Sequence, residues 1–181
     1  MLEKNSTHPV DYLKAIEDGC RESGSTHEGQ ADTVSEWAGI VYRIGHNQLV
    51  SQLGEVVEIL DVPELSRVPL TQPWVRGIAN IRGNLLPVID LSGCLTGGVT
   101  RITDKTRVLV IDYNGFYSGL VVDEVLGMKH FMDNEYSVED AQVDEFLRPY
   151  TQHVFRRGDQ SWAIFSLHTL ADSPQFLQAA V

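Results

Sequence analysis

The sequence is poor in cysteine, in positive charge and in long apolar runs, and each shortage excludes a class of protein. Cys20 and Cys94 have no C-x-x-C partner and no metal-like spacing, so they indicate lone thiols in a reducing compartment. A formal net charge of −11 argues against nucleic-acid binding. No apolar segment reaches the roughly 18 residues of a membrane-spanning helix, and the N-terminus lacks a signal-peptide core. These features predict a cytoplasmic protein without direct membrane insertion.

Sequence motifs of catalysis are missing as well. The six histidines form no H-E-x-x-H pair, and neither a phosphate-binding glycine loop nor a G-x-S-x-G turn occurs. Asp123 and Glu124 are adjacent carboxylates at a predicted strand end, but nothing near them in the sequence would shift either pKa. We therefore expect no enzyme: no catalytic residues, no cofactor and no metal site.

Residues 1–35 differ in composition from the rest of the chain. Val10, Leu13 and Ile16 are spaced as on one face of a helix. Residues 21–35 are almost all polar and small, which is typical of a linker. We expect an N-terminal helix and a flexible linker over 1–35, and we expect the remaining fold to survive their removal.

From Trp37 onward, short strand patterns alternate with turn signals. Asn114–Gly115 is the strongest two-residue hairpin signal in the chain, and residues 166–181 predict a helix that is interrupted or started by Pro174. Strands at short, regular intervals predict an all-β barrel or sandwich. They fall into two groups of about five strands, which separate near residues 93–106.

The most informative stretch is Trp74–Leu91. Two apolar runs flank Arg82, Gly83 and Asn84, a triplet that tolerates the positive φ of a tight turn. The stretch therefore predicts a β-hairpin with a charged tip. Pro87 lacks a backbone donor, which predicts that the second arm is an edge strand or is bulged there. An apolar hairpin with one fixed arginine suits partner recognition better than catalysis.

Glu58 is the one charge in the otherwise apolar segment Val56–Leu60. Two interpretations stay open on the sequence: Glu58 faces solvent from an alternating strand, or it lies near Arg82, paired with it or shaping a partner-binding edge. The planar guanidinium of Arg82 can hold two acceptors at once, so lysine would not be a conservative replacement. Trp74 and Trp162 are predicted to be core anchors.

The order of residues in the hairpin resembles a known family. An N-x-R-G turn followed by P-V-I-D-L is the pattern of CheW-type coupling proteins of bacterial chemosensory arrays. Gly54–Leu60 and Gly119–Val125 resemble two further motifs of that family, in the same order, so the resemblance covers about residues 36–170. Finer features, such as Trp74–Val75 and Gly127–Phe131, are most similar to the branch that serves type IV pilus twitching motility (PilI-like proteins).

The resemblance implies a fold and a domain organisation. The expected fold is all-β, with two small five-stranded SH3-like barrels packed side by side and short helices at the termini. The CheW-like domain would cover residues 36–172, with its two halves split near 93–106. Residues 173–181 would form a C-terminal helical tail.

The resemblance also implies a function as an adaptor. Such a protein would couple the cytoplasmic tip of a methyl-accepting chemoreceptor to the regulatory domain of a CheA-type histidine kinase. It would lie in the cytoplasm, associated with receptor arrays at the inner membrane, and would control type IV pilus twitching motility. The groove between the barrels would receive the receptor's helical hairpin.

Eight positions that match the family motifs are expected at or near that groove. They are Val56, Glu58, Gly77, Asn80, Arg82, Gly83, Gly119 and Val125. Two positions depart from the family pattern: Ile81 replaces the usual leucine, which is a mild packing change, and Ser92 replaces an arginine found in many members. The second change removes a positive charge and any contact expected from it.

Other functions compatible with the sequence are a flagellar chemotaxis coupling protein and a CheV-like fragment. An all-β binding module or a small hydrolase is a further alternative from a different class. The hydrolase would need a pocket with convergent titratable groups.

Overall fold

The computed structural model describes residues 36–139 and 141–178, so the predicted N-terminal helix and linker lie outside the described residues. The strands are β1 (Glu36–Ile44), β2 (Asn47–Gln52), β3 (Glu58–Asp61), β4 (Val75–Ile81), β5 (Asn84–Asp90), β6 (Arg107–Tyr113), β7 (Phe116–Val122), β8 (Glu124–Met132), β9 (Tyr136–Ser137), β10 (Thr151–Arg157) and β11 (Gln160–Phe165). The α-helices are α1 (Leu91–Thr96), α2 (Leu167–Ala171) and α3 (Pro174–Leu177), and short 3-10 turns lie at Leu53–Glu55, Asp133–Glu135 and Glu145–Tyr150.

The strands form two curled sheets, which confirms the predicted all-β fold with short helices. One sheet has the strand order β8-β1-β2-β11-β10-β9, and the other has the order β3-β6-β7-β5-β4. Most neighbouring strands are antiparallel, but β11 pairs with β2 and β5 pairs with β7 in parallel. The first sheet has six strands rather than the expected five because the two-residue β9 adds to its edge next to β10.

The strand pairing corrects the division that the sequence suggested near residues 93–106. Strands β3 to β7 are consecutive and build the five-stranded sheet, whereas β1 and β2 join β8 to β11 in the other sheet. Residues 93–106 thus connect β5 to β6 within one sheet. A loop rich in glycine and threonine marks a connection between strands, but its composition does not show whether those strands share a sheet.

The five-stranded sheet closes on itself, and we call it the five-stranded barrel. The backbone N–H and carbonyl groups of Ser66 and Ile78 exchange two hydrogen bonds of 2.9 Å, which bring the chain after β3 against β4 at the opposite edge. The interior is small and aliphatic, with buried Ala79, Leu86, Val88, Val108, Val110 and Val121.

The six-stranded sheet curls so that β10 approaches β8, and we call it the six-stranded barrel. The Arg157 guanidinium at the end of β10 donates a 2.7 Å hydrogen bond to the carbonyl oxygen of His130 in β8. The interior is largely aromatic, with buried Val41, Val50, Phe131, Phe155 and Trp162 and half-buried Trp37 and Ile164 beside them. The burial of Trp162 here, and of Trp74 between the barrels, confirms both as core anchors.

A third cluster, the inter-barrel core, lies between the two sheets. It combines Tyr42 of one sheet with Leu109 and Leu120 of the other. The C-terminal segment covers it with two short helices rather than one, because Ser166 and Ser173 each cap a new helix start. Phe176, in the segment predicted to be a tail, is fully buried in this core.

Pro87 does not lie in an edge strand as predicted, because β5 runs between β4 and β7. The parallel pairing of β5 with β7 begins only at Val88 and covers Val88–Asp90. The missing N–H of Pro87 therefore removes no bond from that ladder. The irregularity in the hairpin lies in β4 instead, between Val75 and Gly77.

Candidate partner-binding site

The hairpin between β4 and β5 ends in a two-residue turn. Ile81 pairs with Asn84, so Arg82 and Gly83 are its central residues, with φ of +52° and +89°. Positive φ at both central residues matches the right-handed twist of a hairpin. The Gly83 N–H donates a 2.9 Å hydrogen bond to Oδ1 of Asn80. The predicted charged hairpin tip is therefore confirmed, and Asn84 belongs to the strand.

Arg82 pairs with Glu58, which was one of the two interpretations left open by the sequence. The Arg82 Nη2 lies 2.6 Å from Oε1 of Glu58, so the pair links the tip of the β4–β5 hairpin to β3. The Arg82 side chain is 77% exposed. Glu58 lies opposite Val110, an interior residue of the five-stranded barrel, so it occupies the mouth of that barrel rather than the outward face of β3.

Gly77 and Gly119 are buried, and close packing explains both. A Cβ at Gly77 would lie 2.5 Å from the carbonyl oxygen of Ser66, which is part of the barrel closure. A Cβ at Gly119 would lie 2.6 Å from Cγ1 of Val108 inside the barrel. Neither distance is compatible with a side chain, so these two predicted site residues act through the fold of the barrel.

Val56 and Val125 are half-buried and pack against the inter-barrel core. Val125 lies at the start of β8, opposite Tyr42 of β1. The eight predicted residues thus fall into three places. Glu58, Asn80, Arg82 and Gly83 meet at the barrel mouth, Val56 and Val125 lie at the rim of the inter-barrel core, and the two glycines are inside the five-stranded barrel.

The fold and these positions can be compared with known proteins. Among protein-family models, the one described as CheW-like domain matches residues 38–175. The chain belongs to the CheW-like family.

Two curated relatives and one solved structure are similar to the chain. Protein PilI of Pseudomonas aeruginosa is 38% identical over 173 residues, which cover 96% of this chain and 97% of PilI. The chemotaxis protein CheW of Bacillus subtilis is 34% identical over 107 residues, covering 58% of this chain and 69% of that protein. The scaffolding protein TtCheW from Thermoanaerobacter tengcongensis has the same fold, with a TM-score of 0.65 and 22% identity over 77% of this chain and 94% of that chain.

Sequence reasoning missed three exposed apolar side chains near the site of this CheW-like domain. Ile59 of β3 lies opposite Leu109, a residue of the inter-barrel core. Val57, the residue before β3, is 60% exposed, and Leu53, four residues earlier in the chain, is also exposed. The alternation along β3 is the available signal, but both interpretations of the segment concerned only Glu58 and not the apolar residues beside it. We call Leu53, Val57 and Ile59 the apolar rim.

Asp90, which ends β5, is a second residue whose role the sequence reasoning missed. Its carboxylate is buried and accepts hydrogen bonds from the backbone N–H groups of Gly93 (3.0 Å) and Thr100 (2.7 Å) and from the hydroxyl of Thr100 (2.6 Å). Arg76 lies 3.4 Å away. Asp90 caps α1 and holds the following loop, and an aspartate just before a helical segment is the sequence signal for such a cap.

The carboxylates that could serve acid–base chemistry are engaged in structural contacts. Asp123 accepts a 2.6 Å hydrogen bond from the N–H of Gly45. Glu124 pairs with Lys105 (3.2 Å) and Arg43 (3.3 Å), and a hydrogen bond from Lys105, supported by Arg43, lowers the pKa of its carboxyl. Within residues 36–139 and 141–178, no group of three or more His, Cys, Asp or Glu side chains is placed to hold a metal ion.

A cleft of about 290 Å³ bears on the hydrolase alternative, because His46, Asp159 and Ser161 are among the residues that line it. His46 Nε2 lies 3.3 Å from Oδ1 of Asp144. The described partner of the His46 ring is thus a carboxylate rather than the Ser161 hydroxyl that a hydrolase would use as its nucleophile.

No helix in the described part of the chain is long and apolar enough to cross a membrane.

Proposed function

We propose that this CheW-like protein is a non-enzymatic adaptor that couples a methyl-accepting chemoreceptor to a CheA-type histidine kinase. The observation that carries the proposal is the adjacency, along β3, of an exposed ion pair and an exposed apolar strip. Glu58, paired with Arg82, lies directly between Val57 and Ile59. Polar and apolar groups that alternate at the boundary of two barrels suit the docking of an amphipathic helix.

The receptor's helical hairpin would bring apolar side chains to the apolar rim and acceptor groups to Arg82. Three exposed apolar side chains on a short stretch of chain offer anchors of the kind that a helix face needs. The Arg82 guanidinium contacts Glu58 through Nη2, and its 77% exposure leaves its other donors accessible to a carboxylate or carbonyl of the receptor. The CheA-type kinase would bind elsewhere on the barrels through its regulatory domain.

We further propose that the output is type IV pilus twitching motility. The match to PilI of Pseudomonas aeruginosa supports this choice, since it spans 96% of the chain, whereas the match to CheW of Bacillus subtilis spans 58%. The working place of the protein would then be the cytoplasmic side of receptor arrays at the inner membrane, with residues 36–172 as the coupling domain.

Reconstitution of kinase control tests the proposal. The autophosphorylation rate of a CheA-type kinase is measured with the receptor's cytoplasmic fragment, with and without the protein, and the Arg82→Glu variant serves as the matched control. We expect the receptor to change the kinase rate only when the wild-type protein is present. Receptor control of the kinase that is identical with and without the protein would show that the adaptor function is wrong.

A further inference from the structure

Glu55 connects the segment between the two barrels to the C-terminal helix. Its carboxylate accepts hydrogen bonds from the Ser166 hydroxyl (3.2 Å) and from the Leu167 N–H (3.1 Å), at the start of α2. His168 Nδ1 lies 3.5 Å from the same carboxylate. The Glu55 side chain is only 10% exposed, so these contacts are largely shielded from solvent.

The contacts of Glu55 extend to a strand of the five-stranded barrel. The His168 ring stacks on Tyr113 at the end of β6, with ring centroids 4.0 Å apart and planes at 16°. The Tyr113 hydroxyl donates a 3.1 Å hydrogen bond to Asp172, the residue after α2. We call Glu55, Tyr113, Ser166, His168 and Asp172 the junction cluster, because it joins α2, β6 and the connection between the barrels.

The segment held by Glu55 carries the apolar rim. Glu55 lies between Leu53 and Val57, and β3, which follows, has only four residues and pairs along its length with β6 alone. A strand this short has few backbone bonds to fix its position, and side-chain anchors at its ends therefore matter. Glu58 is anchored through Arg82, and Glu55 is anchored through α2.

We propose that Glu55 is a positioning residue for the partner-binding site: by fastening the inter-barrel connection to α2, it sets the place of Val57 and Ile59. The expected effect on receptor affinity rests on the proposed function. The anchoring of the inter-barrel connection to α2 does not, because it concerns contacts within the chain. It assigns the C-terminal helix α2, which contributes no side chain to the apolar rim, a part in receptor binding.

Three variants of the full chain test the assignment. Glu55→Ala removes both acceptor oxygens at this position, whereas Glu55→Gln keeps one acceptor oxygen for the Leu167 N–H and replaces the charge and the other oxygen by an NH2 group that can donate to the Ser166 hydroxyl. Glu139→Ala is the matched control, since it removes a glutamate of an exposed pair with Arg156 (2.6 Å) on the six-stranded barrel. The measurements are affinity for the receptor's cytoplasmic fragment, affinity for the kinase regulatory domain, melting temperature, and amide exchange at Val57, whose N–H donates to Val110.

We expect Glu55→Ala to bind the receptor fragment about tenfold more weakly, because it removes both hydrogen bonds that hold the inter-barrel connection to α2. Kinase-domain affinity should be unchanged, and exchange at Val57 should be faster. Glu55→Gln should recover most of the receptor affinity, and Glu139→Ala should behave as wild type. Wild-type receptor affinity in Glu55→Ala would overturn the assignment, and so would an equal loss of both partners together with a large fall in melting temperature.

The two proposals fail in different ways. If the wild-type protein binds no receptor fragment, the proposed function is wrong. The anchoring by Glu55 is then tested only by the rate of amide exchange at Val57. Unchanged exchange at Val57 in Glu55→Ala would then overturn the anchoring as well.

Discussion

Each barrel has an arginine–glutamate pair that links separate parts of its sheet, and the two pairs differ in how many contacts their arginines make. Arg157 contacts Glu135 through both Nε and Nη2, donates to the His130 carbonyl, and lies with its guanidinium 5.8 Å from the Phe131 ring centroid. Among the described residues, the Arg82 guanidinium forms one hydrogen-bonded pair, with Glu58. The side chains of Arg157 and Arg82 are 49% and 77% exposed.

The comparison separates structural closure from recognition. In the six-stranded barrel Arg157 links β10 to β8 through the His130 carbonyl, beside the stacked rings of Phe131 and Phe155, whose centroids are 4.3 Å apart. The five-stranded barrel is already closed by the backbone bonds between Ser66 and Ile78. Arg82 is therefore not needed for closure, and an exposed arginine that the fold does not need is available to a partner.

The largest expected effect is a loss of folding stability when a residue in the interior of either barrel is truncated. Trp162→Ala in the aromatic interior should lower the free energy of unfolding by about 3–5 kcal/mol. Val110→Ala in the aliphatic interior should lower it by about 2 kcal/mol, because it removes fewer carbon atoms. Urea unfolding measures both changes. Equal losses in the two variants would mean that the aromatic interior contributes no more stability than the aliphatic one.

The second prediction tests Arg82 as a recognition residue. Arg82→Glu should retain the fold and bind the receptor fragment ten- to a hundredfold more weakly, since a charge-assisted contact is worth about 1.5–3 kcal/mol. Arg157→Glu should instead lower the melting temperature, because it sets two carboxylates against each other at the barrel edge. Circular dichroism and receptor titration distinguish the two. A folded Arg82→Glu protein with wild-type affinity would remove Arg82 from the site.

The third prediction separates Val57 from Val56. Val57→Asp should keep the melting temperature and weaken receptor binding about tenfold, because its side chain is exposed on the apolar rim. Val56→Asp should lower the melting temperature, since its half-buried side chain packs against the inter-barrel core. The same two measurements apply. If Val56→Asp kept its melting temperature and lost receptor binding while Val57→Asp bound normally, Val56 rather than Val57 would be the contact residue.

The smallest expected effect is the pH dependence of the six-stranded closure. Hydrogen bonds from Arg157 and from the Met132 N–H lower the pKa of Glu135 to about 2, against about 4.3 in an unfolded chain. The stabilisation is therefore complete above about pH 5 and is lost as the pH falls towards 2. Because Arg157 is half-exposed, we expect only about 1 kcal/mol. In Glu135→Gln the stability measured by acid unfolding should lack this contribution. If the wild-type protein and Glu135→Gln unfolded at the same pH, the prediction would be wrong.

Much of the local structure could be predicted from the sequence. Asn114–Gly115 was read as a two-residue turn, and the structure has it with φ of +51° and +80° between β6 and β7. The hairpin at Arg82 was predicted for the same reason, because few residues tolerate positive φ. The Glu58–Arg82 pair was one of two stated alternatives, and the structure selects it.

The path of the chain between the sheets could not be predicted. The motif Gly119–Val125 predicts one continuous strand, whereas β7 ends at Val122 and a new strand, β8, runs from Glu124 to Met132. Asp123 alone separates these strands, without a glycine or proline to mark the change. The chain returns to the first sheet through β8, which pairs with β1. Because β8 was not predicted as a separate strand, this return could not be predicted either.

That return to the first sheet has a consequence for how the protein is made. The strands of the five-stranded barrel are consecutive, so this barrel is complete as soon as β7 has left the ribosome. The β1–β2 hairpin emerges earlier, but its other neighbours, β8 and β11, are synthesised only later. During translation this apolar hairpin therefore waits with both edges unpaired, the condition under which nascent β-strands associate with other chains.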